Sequence, residues 1–273
     1  MSAHSAHTPV TIHDLRGFKE RGERFAMLTA YDALTAEIFD AAGVPALLVG
    51  DSLSMVVLGH DSTLPVTMEQ MLHHTRAVTR GARRALVIGD MPFMSYQLSA
   101  DEGVRNAARF LKEAGAHAVK LEGGAPVASL VARMTDAGIP VMGHLGLTPQ
   151  SVRQLGGFKV QGRTAQSAER IVADAAALAD AGAFAVVLEC IPAEVARRVT
   201  EAVPIPTIGI GAGPHCDGQV LVADDMLGVT AGRLPRFVKQ YANVRMAMTD
   251  AAKAFQAEIA SGDYPGPEHT YES

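Results

Sequence analysis

The sequence predicts a (β/α)8 barrel, and three observations predict it. Eight short apolar runs recur along the chain, at 25–30, 46–50, 85–89, 118–121, 140–143, 185–188, 206–210 and 220–223. Amphipathic stretches lie between them, several closed by a glycine. No change of composition interrupts this rhythm over the 273 residues. The runs are short and do not alternate cleanly, which is how strands buried on both faces of a parallel sheet read. Eight units favour a closed barrel over an open doubly wound sheet, and a barrel of roughly 250 residues fits the length. One domain over 1–273 is therefore expected.

Taken in order, the first element is a helical segment at about 11–22, placed to cover the bottom of the barrel. Thr67-Met-Glu-Gln70 and Ser99-Ala-Asp-Glu102 have capping-box spacing and mark two helix starts. Val104, Ala107, Ala108, Leu111 and Ala114 form a helical stripe after the second of these. Gly43, Gly81, Gly115, Gly138 and Gly182 stand where helices should stop, because glycine takes the left-handed closing conformation at little cost. The glycine-bearing stretch 147–163 follows the fifth strand at the active-site face and is a candidate lid. A long helix is expected at about 236–260. The tail from Ser261, with Pro265, Gly266 and Pro267, is expected to be loose.

Composition narrows the function. Hydrophobic residues make up 48% and charged residues 19%, with a net charge of −5. No basic block stands out, which argues against nucleic acid. No apolar run approaches the roughly 20 residues of a membrane span. Met1 to Val10 lacks a basic segment followed by an apolar one, so no secretory leader is expected. Two cysteines, Cys190 and Cys216, make no disulfide framework and suit a reduced, cytoplasmic setting.

The chemistry is carried by acids. Asp51, Asp90, Glu122 and Glu189 each stand at or just past the C-terminal end of a predicted strand. In a barrel that end is the catalytic mouth. Strands two, three and four are neighbours, so Asp51, Asp90 and Glu122 can converge. Clustered carboxylates repel one another unless a cation sits among them. Oxygen-only donors suit a hard ion, and a few carboxylates completed by water and substrate resemble a magnesium site more than a calcium cage. Each acid by itself has an ordinary alternative as a solvated loop residue or a helix N-cap. Their recurrence at one end of successive strands weakens that alternative.

Lys120 lies two residues before Glu122 and points the same way from the strand. It can hold a substrate carboxylate or enolate oxygen, or simply pair with Glu122 or Asp90. Ser52 follows Asp51 and offers a hydroxyl and an amide, or a plain N-cap. His144 and Tyr31 are open between substrate contact and a packing role. Cys190 falls on the other face from Glu189 and reads as a small buried hydrophobe. The run Gly209-Ile-Gly-Ala-Gly213 lets the backbone approach a ligand closely, although lone glycine patterns are weak signals.

The segments Leu-Thr-Ala-Tyr-Asp at 28–32, Val-Gly-Asp-Ser at 49–52, Gly-Asp-Met-Pro-Phe at 89–93, Val-Lys-Leu-Glu-Gly-Gly at 119–124, Gly-His-Leu-Gly-Leu-Thr-Pro-Gln at 143–150 and Ile-Gly-Ile-Gly-Ala-Gly at 208–213 together resemble the ketopantoate hydroxymethyltransferase family. The match runs from about Leu28 to Lys239. The resemblance implies a barrel of the phosphoenolpyruvate/pyruvate group. It implies Asp51, Asp90 and Glu122 as magnesium-binding positions, and Asp51, Ser52, Asp90 and Lys120 as oxo-acid-binding positions. Glu189 matches the proton acceptor. The implied reaction moves a hydroxymethyl group from 5,10-methylenetetrahydrofolate to 3-methyl-2-oxobutanoate in pantothenate synthesis, through a magnesium-stabilised enolate. The implied assembly is a homo-oligomer, a decamer built as a pentamer of dimers. Met94 stands where many relatives are expected to carry a small residue, and Ala223-Asp224-Asp225 also departs from the family pattern.

That chemistry suits the residues, because a 2-oxo acid chelates a divalent ion that stabilises the enolate left when the C3 proton departs. Whether Glu189 takes that proton, activates water, or does both stays open at this level. One rival is a C–C lyase or phosphonate mutase of the same barrel group, against which stands the lack of a Lys-Cys-Gly-His motif. A second is a non-catalytic oxo-acid-binding protein that kept the barrel.

Overall fold

The computed structural model describes residues 8–271. The expectation of no secretory leader rests mostly on residues 1–7, which lie outside the described residues. The described chain forms two compact units, one ending at Val222 and the other beginning at Ala223.

The first unit opens with α1 (Ile12–Glu20), then β1 (Phe25–Thr29), α2 (Ala33–Ala41), β2 (Ala46–Val49), the short α3 (Leu53–Val56), α4 (Met68–Gly81) and β3 (Leu86–Asp90). There follow α5 (Ala100–Ala114), β4 (Ala118–Lys120), α6 (Ala125–Asp136), β5 (Val141–Gly146), the short α7 (Val152–Leu155) and α8 (Ala165–Asp180). β6 (Ala185–Glu189), α9 (Ala193–Ala202), β7 (Thr207–Ile210) and β8 (Gly218–Leu221) complete it. All neighbouring strands pair in parallel, and β8 pairs with both β7 and β1, so the barrel closes in sequence order. The eight expected strands are all present. The last starts two residues earlier than its apolar run, because Gly218 and Gln219 already pair across to β1 and β7.

Alternation along each strand sorts the side chains. Phe25 and Met27, Ala46 and Leu48, Leu86 and Ile88, Ala118, Met142, Ala185 and Val187, Ile208 and Val220 form one buried cluster inside the barrel. Leu15 of α1 belongs to the same cluster, and Ile12 and Phe18 pack against it, so α1 plugs the bottom. Thr11 starts that helix with a full capping box to Asp14.

The helix signals hold with two refinements. Thr67 and Gln70 form the reciprocal capping box, whereas Ser99 receives the Glu102 amide without the return bond. Gly115 closes α5 at φ 71°, the left-handed conformation expected of it. Gly81 does something else: it is the last residue of α4 and buried, and a Cβ there would collide with the Ala33 carbonyl. Glycine at 81 permits the close approach of α4 to α2 rather than closing a helix.

The second unit contains α10 (Ala223–Met226) and α11 (Val244–Ser261). The long C-terminal helix thus begins at Val244, not near 236, with Asn243 as its N-cap through a bond from the Met246 amide. Leu234-Pro-Arg before it is non-helical, since proline restricts its predecessor to extended conformations. At its start the tail is held rather than loose. Asp263 and Tyr264 donate backbone bonds to Glu258, and the Tyr264 ring lies 5.5 Å from that of Phe255. No described helix is long and apolar enough to cross a membrane.

Candidate active site

Continuing each inward column by two residues past the apolar layer gives Asp90 on β3, Lys120 on β4, His144 on β5 and Glu189 on β6. Glu122 is the next inward position after Lys120. Asp51 follows β2 on the turn into α3. These six occupy the C-terminal mouth of the barrel, and all but Glu189 are almost completely buried.

Lys120 is the centre of charge. Its Nζ lies 2.8 Å from Asp90 Oδ1 and 3.2 Å from His144 Nδ1. The Asp51 amide donates to Asp90 Oδ2 at 3.2 Å, which ties the β2 turn to the end of β3. His144 Nδ1 is 3.5 Å from Glu122 Oε1, and its Nε2 is 3.1 Å from Glu189 Oε2. The imidazole therefore stands between two acids from different strands. Ser52 lies beside Asp51 with its hydroxyl 2.9 Å from that of Tyr31, and it does not cap α3.

The electrostatics follow from burial and proximity. Burial, then the charges of Asp90 and Glu122, hold the Asp51 carboxyl well above its ordinary range. Burial would lower the Lys120 pKa, but the surrounding carboxylates outweigh it and keep the ammonium charged. Burial and Lys120 both push His144 down, yet bonds to Glu122 and Glu189 prevail and hold it at about 9. These two acids favour the charged imidazole, so the Lys120 contact at Nδ1 is a like-charge approach offset by the carboxylates around it.

Two residues of the mouth have no role in the sequence reading: Gln150, although it ends the motif at 143–150, and Tyr96. Gln150 comes in from the connection after β5, the candidate lid. Its Nε2 donates to Asp51 Oδ2 and to the Met91 carbonyl, each at 2.9 Å. Its backbone amide donates to Glu122 Oε2 at 3.0 Å. The Tyr96 hydroxyl receives the Glu122 amide at 3.1 Å and donates to Gln150 Oε1 at 2.8 Å. His144 was left open above, yet the parity of Met142, which faces inward, would have placed it here. No such rule reaches Gln150, because a loop has no period.

Among the described residues, no three His, Cys, Asp or Glu side chains already enclose a common centre. The residues nonetheless fit a hard divalent ion. Glu122 Oε1 is buried and accepts no aligned hydrogen bond, and Asp90 Oδ1 faces only the Lys120 ammonium at 2.8 Å. Three carboxylates with oxygen-only donors leave a negative surplus that one ammonium does not cancel.

Other candidates resolve differently. Burial and the Glu189 charge push the Cys190 thiol up to about 11, so it is not a thiolate nucleophile at neutral pH. A Cβ at Gly209 would meet Cys216 and Gln219, and one at Gly213 would meet Ala193. Those glycines make room for the chain itself. Met94 has φ 64°, a conformation that favours a glycine, which gives the unusual residue there a backbone cost.

The chain matches the family model described as ketopantoate hydroxymethyltransferase over residues 9–267. It is 58% identical to the 3-methyl-2-oxobutanoate hydroxymethyltransferase of Syntrophus aciditrophicus, covering 99% of this chain and 100% of that one. It is 56% identical to the protein of the same name from Carboxydothermus hydrogenoformans, covering 96% and 95% of the two chains. Among solved structures it resembles 2,3-dimethylmalate lyase, a member of the PEP mutase/isocitrate lyase superfamily, with a TM-score of 0.59 at 16% identity over 94% of this chain and 92% of that one. A likeness at that identity speaks for the barrel fold alone. The full-length sequence matches carry the rest: this chain belongs to the ketopantoate hydroxymethyltransferase family and is a transferase enzyme.

Proposed function

We propose that the chain transfers a hydroxymethyl group from 5,10-methylenetetrahydrofolate to 3-methyl-2-oxobutanoate, giving ketopantoate for pantothenate synthesis, with Mg2+ as its resident metal. The observation that carries this is the set of inward positions at the mouth. Three acids from β2, β3 and β4 surround one ammonium, and a fourth acid stands on β6 behind an imidazole. Asp51, Asp90 and Glu122 would hold the ion. Mg2+ when bound supplies a Lewis acid for the paired oxygens of a 2-oxo acid.

The chain's own residues do the remainder. Lys120, kept charged by its neighbours, attracts the substrate carboxylate and the negative charge that develops on the keto oxygen. Ser52 and its amide offer donors at the same edge. Glu189 is the least buried of the four acids, with a side chain 17% exposed, so a substrate C–H can approach it. It accepts the C3 proton, and His144 at 3.1 Å holds the carboxylate in place. The carbon nucleophile so formed then attacks the methylene carbon of the folate in its iminium form, in which one C–N bond has already opened. Water then replaces the remaining folate nitrogen on that carbon, which releases the hydroxymethyl product and tetrahydrofolate. The same reading carries a homo-oligomer of ten subunits. Leu34 and Ile38 on α2, 74% and 64% exposed, offer apolar surface to a second copy.

The test follows 3-methyl-2-oxobutanoate by NMR in deuterated buffer with Mg2+ and methylenetetrahydrofolate, and again with chelator. Ketopantoate and C3 exchange are expected only with metal. Folded protein that gives neither would overturn the assignment. Cleavage products in place of ketopantoate would turn it toward the lyase reading.

A further inference from the structure

The mouth contains one large polar side chain that touches the acids and has no reacting atom: Gln150. It is 5% exposed. Its two amide protons go to Asp51 Oδ2 and the Met91 carbonyl, and its Oε1 receives Tyr96 and, at 3.2 Å, Gln97. A carboxylate and a carbonyl both require a donor, so this environment fixes which end of the amide is nitrogen. All four hydrogen-bonding positions of the side chain are used. Gln150 therefore cannot turn without breaking several buried bonds at once.

The pattern on the acids is asymmetric. Glu122 has Oε2 held by the Gln150 amide and Oε1 without an aligned donor. Asp90 differs: its Oδ2 is held by the Asp51 amide and its Oδ1 faces the Lys120 ammonium at 2.8 Å. At Glu122 and at Asp51 a neutral N–H of Gln150 fixes the plane of the carboxylate without cancelling its charge. A lysine or arginine in the same place would orient the acids and neutralise them together. A neutral donor is what a carboxylate needs if it is to be aimed yet remain free to bind a cation.

We propose that Gln150, locked by the Tyr96 hydroxyl, is a positioning residue that aims the Asp51 and Glu122 carboxylates at the cation. The connection after β5 is thereby tied to the metal site through one side chain. Displacing residues 147–163 withdraws an orienting bond from two acids at once, which makes cation binding depend on the seating of that segment. This inference rests on the metal-dependent reading above.

The test uses the full chain stripped of metal, as wild type, Gln150→Met and Tyr96→Phe. Mn2+ alone is titrated in, and the free ion is counted by EPR. The methionine keeps the volume and removes every bond; the phenylalanine keeps the ring and removes only the hydroxyl. Loss of such orienting partners typically weakens a metal by about 10–100-fold. That weakening is expected for Gln150→Met, and a smaller one for Tyr96→Phe. The Mg2+ concentration for half-maximal turnover should rise in parallel, while kcat at saturating metal changes less. Mn2+ affinities within twofold of wild type in both variants, with only a lower melting temperature, would reduce Gln150 to a structural role and overturn the proposal. Should Gln150→Met not fold, Tyr96→Phe decides alone by the same criterion. A wild type that binds no Mn2+ brings down the functional reading and the inference with it. A wild type that binds it with unaltered variants brings down the inference only.

Discussion

The two ends of the barrel treat buried charge in opposite ways. At the bottom, Lys19 and Asp217 meet at 3.0 Å, one cation to one anion. Lys19 also reaches the Thr200 carbonyl, and Asp217 also receives the Thr207 amide and hydroxyl. At the top, four acids share Lys120 and His144, and the buried Glu122 Oε1 has no aligned donor. The bottom is balanced within the chain and holds α1 to β7 and α9. The top is left in deficit, and a site that must take in a cation and an anionic substrate needs such a deficit. In a parallel barrel the bottom serves stability and the loops of the top serve chemistry. Substitutions at the two ends should therefore be read out in different experiments.

The largest effect belongs to the top. Glu189→Gln removes the proton acceptor without changing shape. Turnover should fall by about 10²–10⁴-fold, the range typical of a lost general base. Oxo-acid binding, followed by ligand NMR, should stay, and the melting temperature should move little because the amide keeps the shape and leaves no unpaired charge of its own. Full turnover would remove Glu189 from its role.

That split was legible in the sequence to an uneven degree. Each strand showed as an apolar run because both of its faces are buried. The acids showed because a charge directly after such a run breaks the pattern. His144 was within reach of the same rule, two residues beyond the inward Met142, but a histidine is too ambiguous a residue to stand out by itself. Gln150 stood at the end of a quoted motif, but its role, and Tyr96 altogether, were out of reach. They arrive on irregular connections, and their roles come from backbone partners, Met91 and Glu122, which no side-chain pattern encodes. The start of α11 was misjudged for a related reason. Helix-favouring composition around 236–243 is overridden by Pro235 and by the Asn243 cap.

A middle-sized effect should come from the bottom. Lys19→Met leaves the Asp217 carboxylate with neutral donors and no cation, at a site where both side chains are about one-sixth exposed. The cost should be about 2–3 kcal/mol, below the range for a fully buried broken pair because water reaches the site. The urea midpoint reports it. Turnover per folded molecule should match wild type. A fall in kcat as steep as the fall in stability would show that the two ends are coupled through the strands, and the contrast drawn above would fail.

The smallest effect has the opposite sign. Asp51 is held well above its ordinary range by burial first, and by Asp90 and Glu122 next. A carboxyl raised in the folded protein binds its proton more tightly there than in the unfolded chain. Its contribution to stability is complete below the ordinary value of about 3.9 and is lost as pH rises through the folded value. Metal-free protein should therefore lose stability through this group as the solution goes from acid toward neutral. Asp51→Asn removes that loss and still accepts a bond from Gln150 Nε2 through its own carbonyl. With chelator near neutral pH the variant should be more stable than wild type by about 1 kcal/mol, the scale on which functional sites trade stability. That is roughly 2–4 °C in melting temperature for a chain of this size. Mg2+ at a hundred times its Kd should then add about 2.7 kcal/mol to wild type and much less to the variant, so the order of the two reverses. A variant that melts below wild type in chelator would mean that the top of the barrel is internally satisfied after all. Its deficit would then not be the feature that separates it from the bottom.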